Sequence, residues 1–267
     1  MGAPMMPPLH TVDVHGVRLA YRRAGRGHPL VLLHGALSDG REWHHQLAGL
    51  SEHCDVIAVD APGCGGSADP VEDLTLEGYA DLMAGFCAAL GLDHPDLGGL
   101  SFGSVCVLAI QRHQPGLARR LVLASAYAGW AGSLPPEEVA RRKEWMTGLL
   151  ERPVEEWGPP FLDTVFGAAT PPEVVAESME LLRSVRPACL HLLRPMADAD
   201  LRDVLPTITA PTLLLYGERD ERSPLSVARA LQQAIPGSRL VVILGAGHGI
   251  SAEAPGPFNE AVRDFLT

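Results

Sequence analysis

Short, nearly continuous apolar runs alternate along this chain with segments of helical periodicity. The runs are Pro29 to Leu33, Cys54 to Val59, Arg120 to Ala126, Thr212 to Tyr216 and Arg239 to Leu244. A strand with one wet face alternates apolar and polar residues, whereas a continuous apolar run belongs to a strand covered on both faces. Helical segments at Arg41 to Leu50, Thr75 to Leu90, Ser104 to His113, Pro224 to Ala234 and Phe258 to Leu266 separate or follow the runs. Buried strands joined by helices make a parallel sheet with helices on both faces, so the fold class is α/β. At the front, Thr11 to Val14 and Val17 to Arg23 alternate about His15-Gly16, which predicts an antiparallel hairpin. Asp96 to Leu100 is read as a strand from its context, because Gly98 and Gly99 make it poor in side chains.

The alternation stops at Tyr127 and resumes near Pro206. Between them no strand is predicted, and Pro135 to Glu151, Pro172 to Val185 and Pro187 to Asp198 read as helices, each with proline near its start. The division expected is a core of residues 1–126 and 207–267 with an inserted helical cap at 127–206. Ligands of such sheets bind beyond the carboxyl ends of the strands, where the cap would lie. Trp130, Trp145 and Trp157, three of the four tryptophans, fall in the cap with Phe161 and Phe166.

Composition narrows the partners. The net charge of −11 repels a phosphate backbone, so nucleic acid is not expected. No apolar run reaches the length of a membrane helix, and Met1 to Pro8 has neither the basic nor the apolar region of a signal peptide. The five cysteines, Cys54, Cys64, Cys87, Cys106 and Cys189, are scattered and odd in number, which fits reduced thiols in the cytoplasm. They form no C-x-x-C pair, and His44-His45 lacks the spacing of a helical zinc site, so neither metal nor cofactor is expected. The expected partner is a small molecule; monomer and homodimer both remain open.

The chemistry lies at strand ends. Gly99-Leu100-Ser101-Phe102-Gly103 is a G-x-S-x-G pentapeptide between an apolar run and a helix. A serine on a sharp strand-to-helix turn projects its hydroxyl clear of the backbone, and the glycines let the turn close. His34-Gly35, the Asp60-x-Pro62-Gly63-x-Gly65-x-Ser67 loop, Gly217-x-x-Asp220 and Gly247-His248 occupy other strand ends. With the pentapeptide, and in this order, they resemble the α/β-hydrolase superfamily over nearly the whole chain. The resemblance implies that fold, and a nucleophile, acid and base in chain order.

On that resemblance Ser101 is the nucleophile, His248 the base and Asp220 the acid that orients His248. Glu218 and Glu221 are nearby carboxylates, and a helix cap ahead of Ser223-Pro224 is the plainer role for Asp220. The backbone N–H groups of Ala36 and Phe102 form the oxyanion hole by the same pattern. His34, Gly35 and Leu37 of the first loop, with Trp130, Trp145 and Trp157, are candidate substrate-binding residues; packing of the cap is the alternative for the tryptophans. Asp60 is read as fixing a loop beside the site, and Glu253 as tethering the last helix.

The chain is most similar to the capped group that includes β-ketoadipate enol-lactonases. Arg186-Pro187-Ala188-Cys189 through Ala199-Asp200-Leu201 and Ile208-Thr209-Ala210-Pro211-Thr212 carry that likeness. The chain departs from its relatives in Phe102-Gly103-Ser104, where many read Met-Gly-Gly. The implied activity is hydrolysis of an ester, lactone or thioester of a small to medium apolar substrate through an acyl-enzyme. Carbon–carbon bond hydrolases and haloperoxidase-like or lyase-like members share the motifs. A ligand sensor with a slow triad is a third reading. Epoxide hydrolases and haloalkane dehalogenases carry aspartate where this chain has Ser101.

Overall fold

The apolar runs at Pro29–Leu33, Asp55–Val59, Leu121–Ala124 and Thr212–Gly217 are buried over nearly their whole length, whereas Arg239–Ile243, at the sheet edge, is only partly buried and Leu244 after it is exposed. A computed structural model describes residues 6–70 and 74–267; Met1 to Met5, the start of the first core segment, lie outside the described residues, as do residues 71–73. Eight strands form one sheet: β1 (Leu9–Val14), β2 (Val17–Gly25), β3 (Pro29–Leu33), β4 (Asp55–Val59), β5 (Asp96–Leu100), β6 (Leu121–Ala124), β7 (Thr212–Gly217) and β8 (Arg239–Ile243). Their order is β1-β2-β4-β3-β5-β6-β7-β8. β2 runs antiparallel to β1 and β4, and every other pairing is parallel. The hairpin turn places His15 at φ 53° and Gly16 at φ 81°, and Asp13 Oδ1 accepts the Gly16 N–H at 3.0 Å. Two positive φ values are the signature of a two-residue turn whose twist matches its strands.

The core helices are α1 (His44–Gly49), α2 (Leu76–Ala89), α3 (Phe102–His113), α8 (Leu225–Ala234), α9 (Ile250–Glu253) and α10 (Pro255–Leu266). Leu30 and Leu32 of β3, with Val56 and Ala58 of β4, pack with Trp43, Leu47 and Phe258 on one face. Val31, Leu33, Ile57 and Val59, their alternates, pack with Tyr79, Phe86 and Val105 on the other. α2 starts as its sequence dictates, with the Thr75 hydroxyl accepting the Gly78 N–H at 3.0 Å.

Between β6 and β7 lie α4 (Pro136–Met146), α5 (Val154–Val165), α6 (Pro172–Arg183) and α7 (Leu190–Asp198), with no strand among the described residues. Two expectations need correction. The helix expected over Pro135 to Glu151 ends at Met146, because Gly148 at φ 66° turns the chain into a separate 3-10 turn, Leu149–Glu151. α5 was not foreseen, since it carries Pro159 and Pro160 inside it. Prolines there remove the donors for the carbonyls of Glu155 and Glu156, but both residues are exposed, so water can serve those carbonyls. Among the described residues no helix is long and apolar enough to cross a membrane.

Candidate active site

Three of the five described non-glycine residues with positive φ lie beyond the carboxyl ends of β3, β5 and β6. Of the described non-glycine residues, Leu37, Ser101 and Ser125 stand at these ends with φ of 57°, 52° and 44°. Such values persist only where the surroundings enforce them, and they gather at functional sites. Ser101 follows β5 directly and its N–H donates to the Ala124 carbonyl at 2.8 Å. Gly99 and Gly103 are what allow that turn. A Cβ on Gly99 would lie 2.3 Å from the Gly103 carbonyl carbon, and one on Gly103 would lie 2.0 Å from the Leu33 carbonyl oxygen.

Farther along the chain, Asp220 sits in the loop after β7 and His248 in the loop after β8. His248 Nδ1 lies 2.9 Å and 3.0 Å from the two Asp220 carboxylate oxygens. Asp220 Oδ1 also accepts the backbone N–H groups of Arg222 and Ser223 at 3.0 Å and 2.8 Å. Burial alone would raise the Asp220 pKa; the facing His248 and these hydrogen bonds outweigh it and hold the carboxyl below its ordinary value. Glu218 and Glu221 are exposed, and Glu218 accepts the Gly245 N–H at 3.0 Å instead.

Several residues that hold this pair carry no sequence motif. The Ser125 hydroxyl donates to the His248 carbonyl at 2.9 Å. Arg142 of α4 donates to the Arg222 carbonyl at 2.9 Å and to the Tyr127 hydroxyl at 3.2 Å. Glu253, expected to tether the last helix, directs its carboxylate elsewhere. Its carboxylate accepts Gly247 N–H at 3.0 Å, Gly167 N–H at 2.9 Å and the Thr170 hydroxyl at 2.8 Å, joining the His248 loop to the segment after α5.

Ser101 and His248 line one cavity of about 340 Å³ beneath α5 and α6, together with Gly35, Ala36 and Leu37. Phe102 follows Ser101 as the first residue of α3. His34 does not line the cavity. Its ring is buried, with Nε2 accepting the Ala61 N–H at 3.0 Å and Nδ1 2.8 Å from the Gly35 carbonyl, so it braces the loop. Asp60 braces the same region through Gly40 and Gly66 N–H groups, each 2.8 Å away. The three tryptophans also stand outside the cavity. Trp145 stacks on Phe161 at 5.4 Å between centroids and meets the edge of Trp157 at 6.2 Å, while Trp130 lies under Arg142. The aromatic rings on the cavity wall are those of Phe161 and Phe166.

Two further features lie on or beside the wall. The Glu42 carboxylate accepts the Gly35 N–H at 2.7 Å. Burial pushes its pKa up to about 7, against the lowering effect of that hydrogen bond. His44 and His45 of α1 meet Glu177 of α6, with ligand atoms within 4.8 Å of one another, a trio that could hold a divalent ion. Sequence spacing conceals it because the third donor comes from a distant helix.

Comparison with known proteins agrees with this architecture. A model of the alpha/beta hydrolase family matches residues 30–261. The chain is similar to an (E)-2-((N-methylformamido)methylene)succinate hydrolase of Acinetobacter baylyi, 26% identical over 92% of this chain and 93% of the relative. Among solved structures, a thermophilic esterase from Thermogutta terrifontis, with malate bound, superposes with a TM-score of 0.88 at 28% identity, covering 97% of this chain and 98% of that one. An enol-lactonase from Burkholderia xenovorans superposes with a TM-score of 0.80 at 26% identity, covering 96% and 99%. The chain belongs to the alpha/beta hydrolase family and is a hydrolase.

Proposed function

We propose that the protein is a serine hydrolase cleaving an ester, lactone or thioester through an acyl-enzyme. The observation that carries this reading is the buried His248–Asp220 pair facing the same cavity as Ser101 on its strained turn. Ser101 Oγ attacks the carbonyl carbon as His248 Nε2 takes its proton. Asp220, on Nδ1, keeps the imidazole in the required tautomer and stabilises its cation. The backbone N–H groups of Ala36 and Phe102 receive the oxyanion. His248 then returns the proton to the leaving oxygen or sulfur as the acyl bond to it breaks. Water, activated by the same base, cleaves the acyl-enzyme and frees Ser101. The esterase and enol-lactonase relatives support this bond class. A cavity of about 340 Å³ with Leu100, Phe161, Val165 and Phe166 on its wall suits a small to medium, largely apolar acyl group.

A fluorophosphonate probe tests the nucleophile. It is expected to label the folded wild type at Ser101 and to leave Ser101→Ala unlabelled; an unlabelled, folded wild type overturns the reading. On a p-nitrophenyl ester, Asp220→Asn is expected to lower kcat by roughly 10³- to 10⁴-fold. Glu218→Gln is expected to stay close to wild type, and a crippled Glu218→Gln beside an active Asp220→Asn would transfer the role to Glu218.

A further inference from the structure

We propose that Arg222 is a recognition site for a carboxylate on the substrate, so that the acids whose esters, lactones or thioesters this enzyme cleaves carry a second, anionic group. This rests on the reading of Ser101 as nucleophile. Arg222 lines the cavity with Ser101 and His248. Its guanidinium lies 4.9 Å from the centre of the Phe161 ring and donates to the Thr164 hydroxyl at 2.7 Å. Both of those partners are neutral.

The contrast with the other arginines of the site is informative. Arg41, also on the cavity wall, is closed by Asp39, whose carboxylate takes Nε at 2.9 Å and Nη2 at 2.7 Å. Arg142 is closed by Glu138 at 2.6 Å. Among the described residues no carboxylate forms an ion pair with Arg222. Burial pulls the Arg222 pKa down, yet a guanidinium keeps its proton at any working pH. A charge taken partly out of water with no carboxylate in direct contact is costly, even with Asp220 and Glu138 acting on it from farther off, and an arriving anion relieves that cost. A guanidinium also offers a planar pair of N–H groups matched to a carboxylate.

The position is held in advance. The Arg222 N–H donates to Asp220 and its carbonyl accepts from Arg142, so the backbone beneath the side chain is fixed from both sides. The cavity is also polarised. Glu42 follows β3, Arg222 follows β7, and Ser101 follows β5, which lies between them in the sheet. A carboxylate seated at Arg222 is therefore on the far side of the nucleophile from Glu42. The competing role for Arg222 is a latch that holds α5 through Phe161 and Thr164.

The test compares mono-p-nitrophenyl glutarate with p-nitrophenyl pentanoate, which share chain length and leaving group. Wild type is expected to favour the anionic ester in kcat/KM, chiefly through KM. Arg222→Met is expected to lower the ratio of anionic to neutral kcat/KM by about 10- to 100-fold, the range for one charge-assisted pair, and Arg222→Lys to recover part of it. An equal loss on both esters, or no preference in wild type, overturns the proposal and leaves Arg222 as the latch. Should neither ester be turned over, the serine reading fails separately, and calorimetric titration of glutarate still decides: binding to wild type that weakens at least about tenfold in Arg222→Met supports the site. No binding to folded wild type overturns it.

Discussion

Gly98 and Gly99 look alike in the sequence and differ sharply in the fold. A Cβ on Gly99 would meet backbone of the turn itself, the Gly103 carbonyl at 2.3 Å and the Ser104 nitrogen at 2.6 Å. A Cβ on Gly98 would meet the Leu32 side chain at 2.6 Å, the end of a group that can rotate away. Gly99→Ala is therefore expected to lower stability by about 2–4 kcal/mol and to abolish fluorophosphonate labelling, since Ser101 moves with the turn. Gly98→Ala is expected to stay within about 1 kcal/mol of wild type and to keep its labelling. Denaturant unfolding and labelling of the two variants side by side check this, and equal losses would mean that the lead-in strand as a whole, not the turn, needs glycine. The weak strand composition before Ser101 thus records how closely α3 approaches β5.

At the scale of elements, strands were legible because burial on both faces leaves a simple record, an apolar residue at nearly every position. Asp220 and His248 were legible in position for a related reason, since each follows such a run through a loop, whereas Ser101 directly follows the glycine-rich β5 and was legible from its G-x-S-x-G pattern. The cavity wall was not legible. Beyond the strand-end residues such as Gly35, Leu37, Ser101 and His248, its residues come from the turn before α1, from α5 and from α6, and nothing in a local pattern distinguishes Phe161, which faces the cavity, from Trp145, which stacks behind it. α5 was hidden by its two prolines, which cost less here because the carbonyls they leave without donors belong to the exposed Glu155 and Glu156. Glu253 joins elements far apart in the chain, since one carboxylate holds the loop of His248 and the segment after α5. Glu253→Ala leaves two backbone donors without their acceptor and is expected to cost about 1–3 kcal/mol. The same variant is expected to slow fluorophosphonate labelling, because the His248 loop loses its anchor; a slower labelling rate without any change in thermal stability would contradict the shared-anchor role.

For the molecule as a whole, the buried Asp220 and the half-buried Glu42 give stability two separate pH windows of opposite sign. Asp220 is held below its ordinary value of 3.8, so the folded chain releases this proton at lower pH than the unfolded chain does. Its contribution is in place above that ordinary value and is lost as pH falls through the folded-state pKa. Glu42 behaves in the reverse manner, with a folded-state pKa of about 7 against an ordinary 4.5. Between those values the folded chain keeps a proton that the unfolded chain has already lost, so stability declines as pH rises across the window. Below about 4.5 both states hold the proton, and above about 7 neither does, so the contribution is flat on either side. Glu42→Gln removes this titration while keeping an oxygen that can accept the Gly35 N–H. Its stability relative to wild type is therefore expected to rise from pH 4.5 to pH 7, by on the order of 1–3 kcal/mol in total, and to level off above that. Denaturant unfolding at a series of pH values measures the difference directly. A difference that is flat across the window would show that Glu42 ionises in the folded protein as it does in water, and that solvent reaches its carboxylate from the cavity.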